Sequence, residues 1–262
     1  MCDISEKYRK KLKRVKECYD EIITEMKKED VNNFVVKDWF DEKEIIHKSI
    51  VFIFACPGKD EFIEDMPCFG QTGKNLDGFI SHLKGYLTEI SEEYKKEFQL
   101  AEQINEDNNQ SADNKEPKYK YERYKYVILN SSDKVHFDEL TSNSEPNCSE
   151  IKTKVNNDLK DTKKKELIQK AKFIFCFGGK AKKYYDKIKE KLDMIKPIEC
   201  CHLGNQALNK TYSLSSDEIK DSKARKERRI ELLFNDVKPK IDDILTGASA
   251  GDLNSSSQGQ KI

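Results

Sequence analysis

The chain has 262 residues with 48 basic and 48 acidic side chains, a formal net charge of zero. That balance excludes a bulk electrostatic pull on nucleic acid and leaves a polyanion only a local patch to bind. Charged residues make up 37% and hydrophobic residues 36%, but the apolar residues cluster enough to build a core, and none of the runs approaches the ~18 residues of a membrane span.

Residues 1–16 are charged and lack the apolar stretch of a secretion signal, so a cytoplasmic protein with no membrane partner is expected. In that compartment the eight cysteines are expected as reduced, mostly structural thiols. No CxxC pair occurs, which argues against a zinc ribbon or a simple iron–sulfur site; no metal and no cofactor is expected.

In chain order, residues 5–29 carry Tyr8, Leu12, Val15, Tyr19, Ile22, Ile23 and Met26 at helical spacing. Four short apolar runs follow: Ile50–Ala55, Tyr126–Leu129, Phe173–Phe177 and Ile195–Cys201. The first three are continuous rather than alternating, which suits strands buried on both faces of a parallel sheet, and Ile195–Cys201 is read as the fourth strand although Lys196, Pro197 and Glu199 interrupt it. Helices are predicted over 73–90, 150–170, 179–192 and 223–245. Strands alternating with helices imply a three-layer α/β/α domain around a mainly parallel four-stranded sheet, here expected to span residues 1–246. Residues 105–118 read as a flexible insertion and 247–262 as a disordered tail, because both are polar and nearly free of apolar residues.

Ligands of such sheets bind beyond the carboxyl ends of the strands. Attention therefore falls on residues 55–61, 130–137, 177–182 and 201–209. The first strand runs into Pro57-Gly58, which forces a turn. The segment Pro67-Cys68-Phe69-Gly70-Gln71-Thr72-Gly73-Lys74-Asn75-Leu76 places two glycines at a helix start, where exposed amides can accept an anion or a carbonyl. Its spacing is not that of a phosphate-binding GxxxxGK(S/T) loop.

Together these segments resemble the motifs of the uracil-DNA glycosylase superfamily. Ala55-Cys56-Pro57-Gly58 followed by Pro67–Leu76 is similar to the first motif of its bacterial and archaeal branch, written GEAPG…PFVGxAGxLL. Val127-Ile128-Leu129-Asn130 resembles the strand ending in a base-reading asparagine, and Phe173–Ala181 the strand–LGxxA–helix element. Cys201-His202-Leu203-Gly204-Asn205 stands where that family carries His-Pro-Ser. The resemblance covers residues 50–209. It departs at Ala55, where the closest members carry a water-orienting glutamate, and at Leu203-Gly204 in place of Pro-Ser. The branch's iron–sulfur cysteines have no counterpart.

The resemblance implies a protein that flips a damaged or deaminated base out of DNA and hydrolyses its N-glycosidic bond. His202 would stabilise the departing base, with Asp60 or Glu61 positioning water in place of the missing glutamate. Asn130, Phe69, Cys56 and Gly58 would hold the base, and Gly179, Lys180, Asn205 and Lys210 would touch the nucleic-acid backbone. Leu208 would be the apolar wedge that fills the gap left by the flipped base. The alternative is a catalytically inactive module on the same fold that binds a base, a nucleotide or nucleic acid. His47, His82 and His136 have no ligand spacing and are expected to be structural or surface residues.

Overall fold

The computed structural model describes residues 8, 34–40, 45–110, 121–135, 145–215 and 219–247. The apolar runs become four strands: β1 (His47–Phe54), β2 (Tyr126–Asn130), β3 (Phe173–Phe177) and β4 (Ile198–Cys200). All pairings are parallel, in the order β2-β1-β3-β4. The helices are α1 (Lys59–Glu64), α2 (Gly70–Ile90), α3 (Glu92–Gln110), α4 (Cys148–Lys160), α5 (Thr162–Lys170), α6 (Gly179–Lys189), α7 (Asn205–Thr211) and α8 (Ser222–Leu245).

Successive residues of a strand point to opposite faces, and the two faces build two cores. Phe52, Phe54, Ile128, Phe173, Phe175 and Phe177 pack with Leu76, Phe79, Leu83, Leu233 and Val237 from α2 and α8. Val51, Ile53, Val127, Leu129, Ile174 and Cys176 pack with Ile151, Val155, Ile168, Tyr184 and Ile188 from α4, α5 and α6. The fold is thus the expected three-layer α/β/α arrangement, and β2 and β3 are buried at every position because both faces are covered.

Several boundaries differ from expectation. The predicted helix over 150–170 is two helices, because Asp161 turns its carboxylate onto the N–H groups of Lys163 and Lys164, each at 3.1 Å, and caps a fresh helix start. Residues 105–110, assigned to a flexible insertion, are the last turns of α3. Residues 111–118 and 248–262 lie outside the described residues, as does the predicted helix 5–29 apart from the helical, buried Tyr8. Residues 34–40 cover the outer edge of β2: Trp39 exchanges backbone hydrogen bonds with Ile128 at 2.8 and 2.9 Å, and Val135 donates to Phe34 at 3.0 Å. A sheet edge so covered is closed to further strand pairing. Cys56, Cys68, Cys148, Cys176, Cys200 and Cys201 are free thiols. Among the described residues no helix is long and apolar enough to cross a membrane.

Candidate functional site

Because every strand runs the same way, the segments after Phe54, Asn130, Phe177 and Cys200 emerge at one end of the sheet. Asn130 stands at one flank and His202 at the other. Three strand spacings separate those flanks, roughly 14 Å of backbone, with Ala55–Gly58 and Gly178 in between.

His202 sits between two glycines. A Cβ on Gly178 would stand 3.5 Å from the His202 Cβ and Cδ2, and one on Gly204 would stand 2.9 Å from its Nδ1. Gly178 has φ +93° at the β3–α6 junction, a conformation that favours glycine. The Gly204 N–H donates to His202 Nδ1 at 2.9 Å. Burial holds the imidazole pKa below its ordinary value of 6.5, against the opposing charge of Glu145. The neutral ring with an occupied Nδ1 lone pair carries its proton on Nε2. His202 is therefore a neutral hydrogen-bond donor.

After β1, α1 opens at Gly58, whose N–H donates to Glu61 Oε2 at 2.7 Å. Burial lifts the Glu61 carboxyl to about 7; Asp60 adds to the rise, while the Gly58 N–H and the Arg123 charge oppose it. A carboxyl near 7 exchanges protons readily at neutral pH. Asp60, expected as its equal, differs: it is exposed and lies against Gly70, where a Cβ would meet Asp60 Oδ2 at 2.3 Å. Both acids lie on a short helix rather than in the expected loop. Cys56 is partly buried, and burial with Glu61, Glu145 and Glu150 pushes its thiol up to about 12 against the pull of Lys180. Its thiol is therefore protonated at neutral pH and is not a nucleophile. Glu145 acts on both Cys56 and His202, which joins the ends of β1 and β4 electrostatically.

Asn130 is 2% exposed and pairs with Phe54 across the β1–β2 register. Its N–H donates to Asp38 Oδ1 at 2.7 Å, while its side-chain Nδ2 is buried with no hydrogen-bond partner among the described residues. A buried amide donor without a partner is costly, and a ligand carbonyl would satisfy it. Asp38 is anchored in turn. Its Oδ2 takes Lys154 Nζ at 2.5 Å and Lys164 Nζ at 2.7 Å, and both lysines reach Asp158 Oδ1, at 3.0 and 2.6 Å. Tyr184 closes the network on Asp158 Oδ2 at 2.5 Å.

Phe69 is partly buried, and its ring meets Tyr121 edge-on at 6.0 Å. Under it lies Arg123, 1% exposed, ion-paired to Asp77 and stacked 4.1 Å from the Tyr121 ring and 4.8 Å from Tyr124. The loop before α2 folds so tightly that a Cβ on Gly73 would fall 1.8 Å from the Cys68 carbonyl oxygen, which requires glycine there.

The expected backbone contacts divide. Gly179 begins α6 directly after β3 and Gly178. Lys180 is turned away from a phosphate role: its ammonium donates to the Pro146 carbonyl at 3.0 Å and lies 3.6 Å from Glu145. Asn205 accepts from Asn75 Nδ2 at 3.3 Å, and Lys210 is exposed on the last turn of α7. Leu208 is 3% exposed within the core, so it is not the expected wedge. His47 is 1% exposed, paired with Glu97 at 3.2 Å, and His82 stacks on Phe234 at 5.7 Å. His136 lies outside the described residues.

Sequence reasoning missed Asp38, Asn75, Arg123, Glu145 and the Lys154–Lys164 pair. A buried polar residue on an otherwise apolar helix face, as at Asn75, was the available signal. Elsewhere, a cavity of about 210 Å³ lies at the start of β4, lined by Lys196, Pro197, Ile198, Lys240 and Asp243. It lies toward the amino end of that strand, away from His202. No protein-family model matches this chain, and no curated protein matches it.

Proposed function

We propose that this chain is a base-recognising protein of the uracil-DNA glycosylase type that hydrolyses the N-glycosidic bond of a base flipped out of DNA. The observation that carries this reading is His202, held by Gly204 as a neutral Nε2–H donor at the carboxyl end of the sheet. A donor aimed at the base strengthens its hydrogen bond as negative charge grows on a departing base. Asn130 offers an unpartnered amide donor on the opposite flank, suited to a carbonyl edge. Glu61 is the proton acceptor for the attacking water, since its carboxyl titrates near neutrality. Phe69, which caps the start of α2, supplies an aromatic face.

The test is incubation of the purified protein with single- and double-stranded DNA carrying uracil, hypoxanthine or xanthine, followed by cleavage at abasic sites. Strand scission with one of these bases is the expected result. Intact strands at enzyme excess with all of them overturn the reading.

A second reading, binding without turnover, is favoured by two features. Ala55 offers only a methyl group where a carboxylate would orient water, and Glu61 Oε2 already caps α1 through Gly58. Calorimetric titration with nucleobases, nucleotides and short DNA separates the two: saturable heat with no base release identifies the binding module.

A further inference from the structure

His202 owes its donor state to a hydrogen bond from one peptide group, and that peptide is itself held. The Leu203 C=O and the Gly204 N–H belong to the same planar, trans unit and point in opposite directions. On one side the Gly204 N–H donates to His202 Nδ1 at 2.9 Å. On the other, the Leu203 oxygen accepts from Asn75 Nδ2 at 2.6 Å. Asn75 is 5% exposed on the inner face of α2. Its Oδ1 accepts from Gln71 Nε2 at 2.9 Å, and its Nδ2 also reaches Asn205 Oδ1 at 3.3 Å. A carbonyl can only accept, so the amide nitrogen must face Leu203, and Gln71 fixes the amide from behind.

We infer that Asn75 is a positioning residue that sets the tautomer of His202 through the Leu203–Gly204 peptide. The chain Gln71–Asn75–peptide–His202 runs donor to acceptor in one direction, so each bond polarises the next. Rotation of the peptide plane would remove the N–H from Nδ1 and turn a carbonyl oxygen toward it. The ring would then favour Nδ1–H and present Nε2 as an acceptor, reversing the polarity of the atom offered to a ligand. This role deepens the glycosylase reading, which needs Nε2 as a donor, but it is a property of the free protein and can be read with no DNA present.

The experiment is long-range proton–nitrogen correlation spectroscopy on protein labelled with ¹⁵N in histidine, comparing wild type with Asn75→Leu. Wild type is expected to hold His202 as Nε2–H. In Asn75→Leu the ratio of Nε2–H to Nδ1–H should fall about fivefold, the worth of one net hydrogen bond. A merely structural role would lower the melting temperature and leave that ratio unchanged, which overturns the inference. If Asn75→Leu does not fold, the wild-type protein alone decides. A scalar coupling across the Gly204 N–H···Nδ1 bond supports the relay, and its absence, or a wild-type His202 protonated at Nδ1, overturns it. Failure of the glycosylase reading would show separately, as DNA left intact by a protein whose His202 tautomer is nonetheless fixed.

Discussion

The Asn130 N–H donates to Asp38 at 2.7 Å, so the end of β2 is tied to a carboxylate that also neutralises two buried ammonium groups. Lys154 and Lys164 come from different helices, and Asp38 from the segment that covers the sheet edge. Removing Asp38 would leave both ammonium groups with Asp158 as their shared buried counter-charge. Asp38→Ala should therefore cost about 3–5 kcal/mol, the usual penalty for breaking a buried pair from one side, measured by urea denaturation. Burial alone would raise the Asp38 carboxyl, but Lys154 and Lys164 outweigh it and hold the group below 3.8. Its stabilising contribution is thus present above pH 3.8 and is lost as pH falls through the lowered folded value. Acid titration should show wild type losing stability over that range and Asp38→Ala losing less.

Glu61 behaves in the opposite sense. Its folded pKa of about 7 stands above the ordinary 4.5, so the protonated form is favoured by folding. That contribution is full below pH 4.5 and is lost as pH rises through about 7. Glu61→Gln keeps an oxygen to accept the Gly58 N–H but carries no charge. The variant should match wild type near pH 4 and exceed it at pH 8, by on the order of 2–3 kcal/mol. Denaturant melts at the two pH values check this; a difference that does not grow with pH contradicts it.

Gly178 lies at φ +93° and ψ 168°, a region that is close to glycine-only. The space around it tolerates a methyl group, because the nearest atoms of His202 are at 3.5 Å. Gly178→Ala should therefore cost about 1–3 kcal/mol from backbone strain rather than from collision. Thermal denaturation measures the loss, and the strain should shift the β3–α6 turn that packs against the His202 side chain.

The strands were legible because buried parallel strands carry uninterrupted apolar runs: Phe173–Phe177 agrees residue for residue. The helix break at Asp161 was not, since Lys163–Lys165 continue the polar pattern and only the capping carboxylate interrupts it. The short helix α1 was missed for a related reason. Its Asp60-Glu61 pair reads as loop acid until Glu61 is seen to fold back on Gly58. His202 and Asn130 were legible as strand-end residues. What orients them was not: Asn75 lies 127 residues before His202, and Asp38 lies 92 before Asn130. Partnerships at such distances leave no local spacing to read.

The final prediction separates turnover from binding at the end of β1. Ala55 is 6% exposed, and its carbonyl accepts from the Ser131 hydroxyl. If Glu61 is the proton acceptor, Glu61→Gln should lower base release by about 10²–10⁴-fold, with His202→Ala costing about 10²–10³-fold through loss of leaving-group stabilisation. Ala55→Glu should then lower activity as well, because a second carboxylate beside Glu61 raises the already high pKa of Glu61 and keeps it protonated at neutral pH. The pH–rate profile of wild type should rise through about 7 as Glu61 ionises. If wild type instead releases no base and Ala55→Glu creates activity that Ala55→Glu/His202→Ala lacks, Glu61 is only a helix cap. The natural chain would then bind without hydrolysing. Single-turnover assays on uracil-containing DNA from pH 5 to 9 distinguish these outcomes, with circular dichroism establishing that each variant is folded.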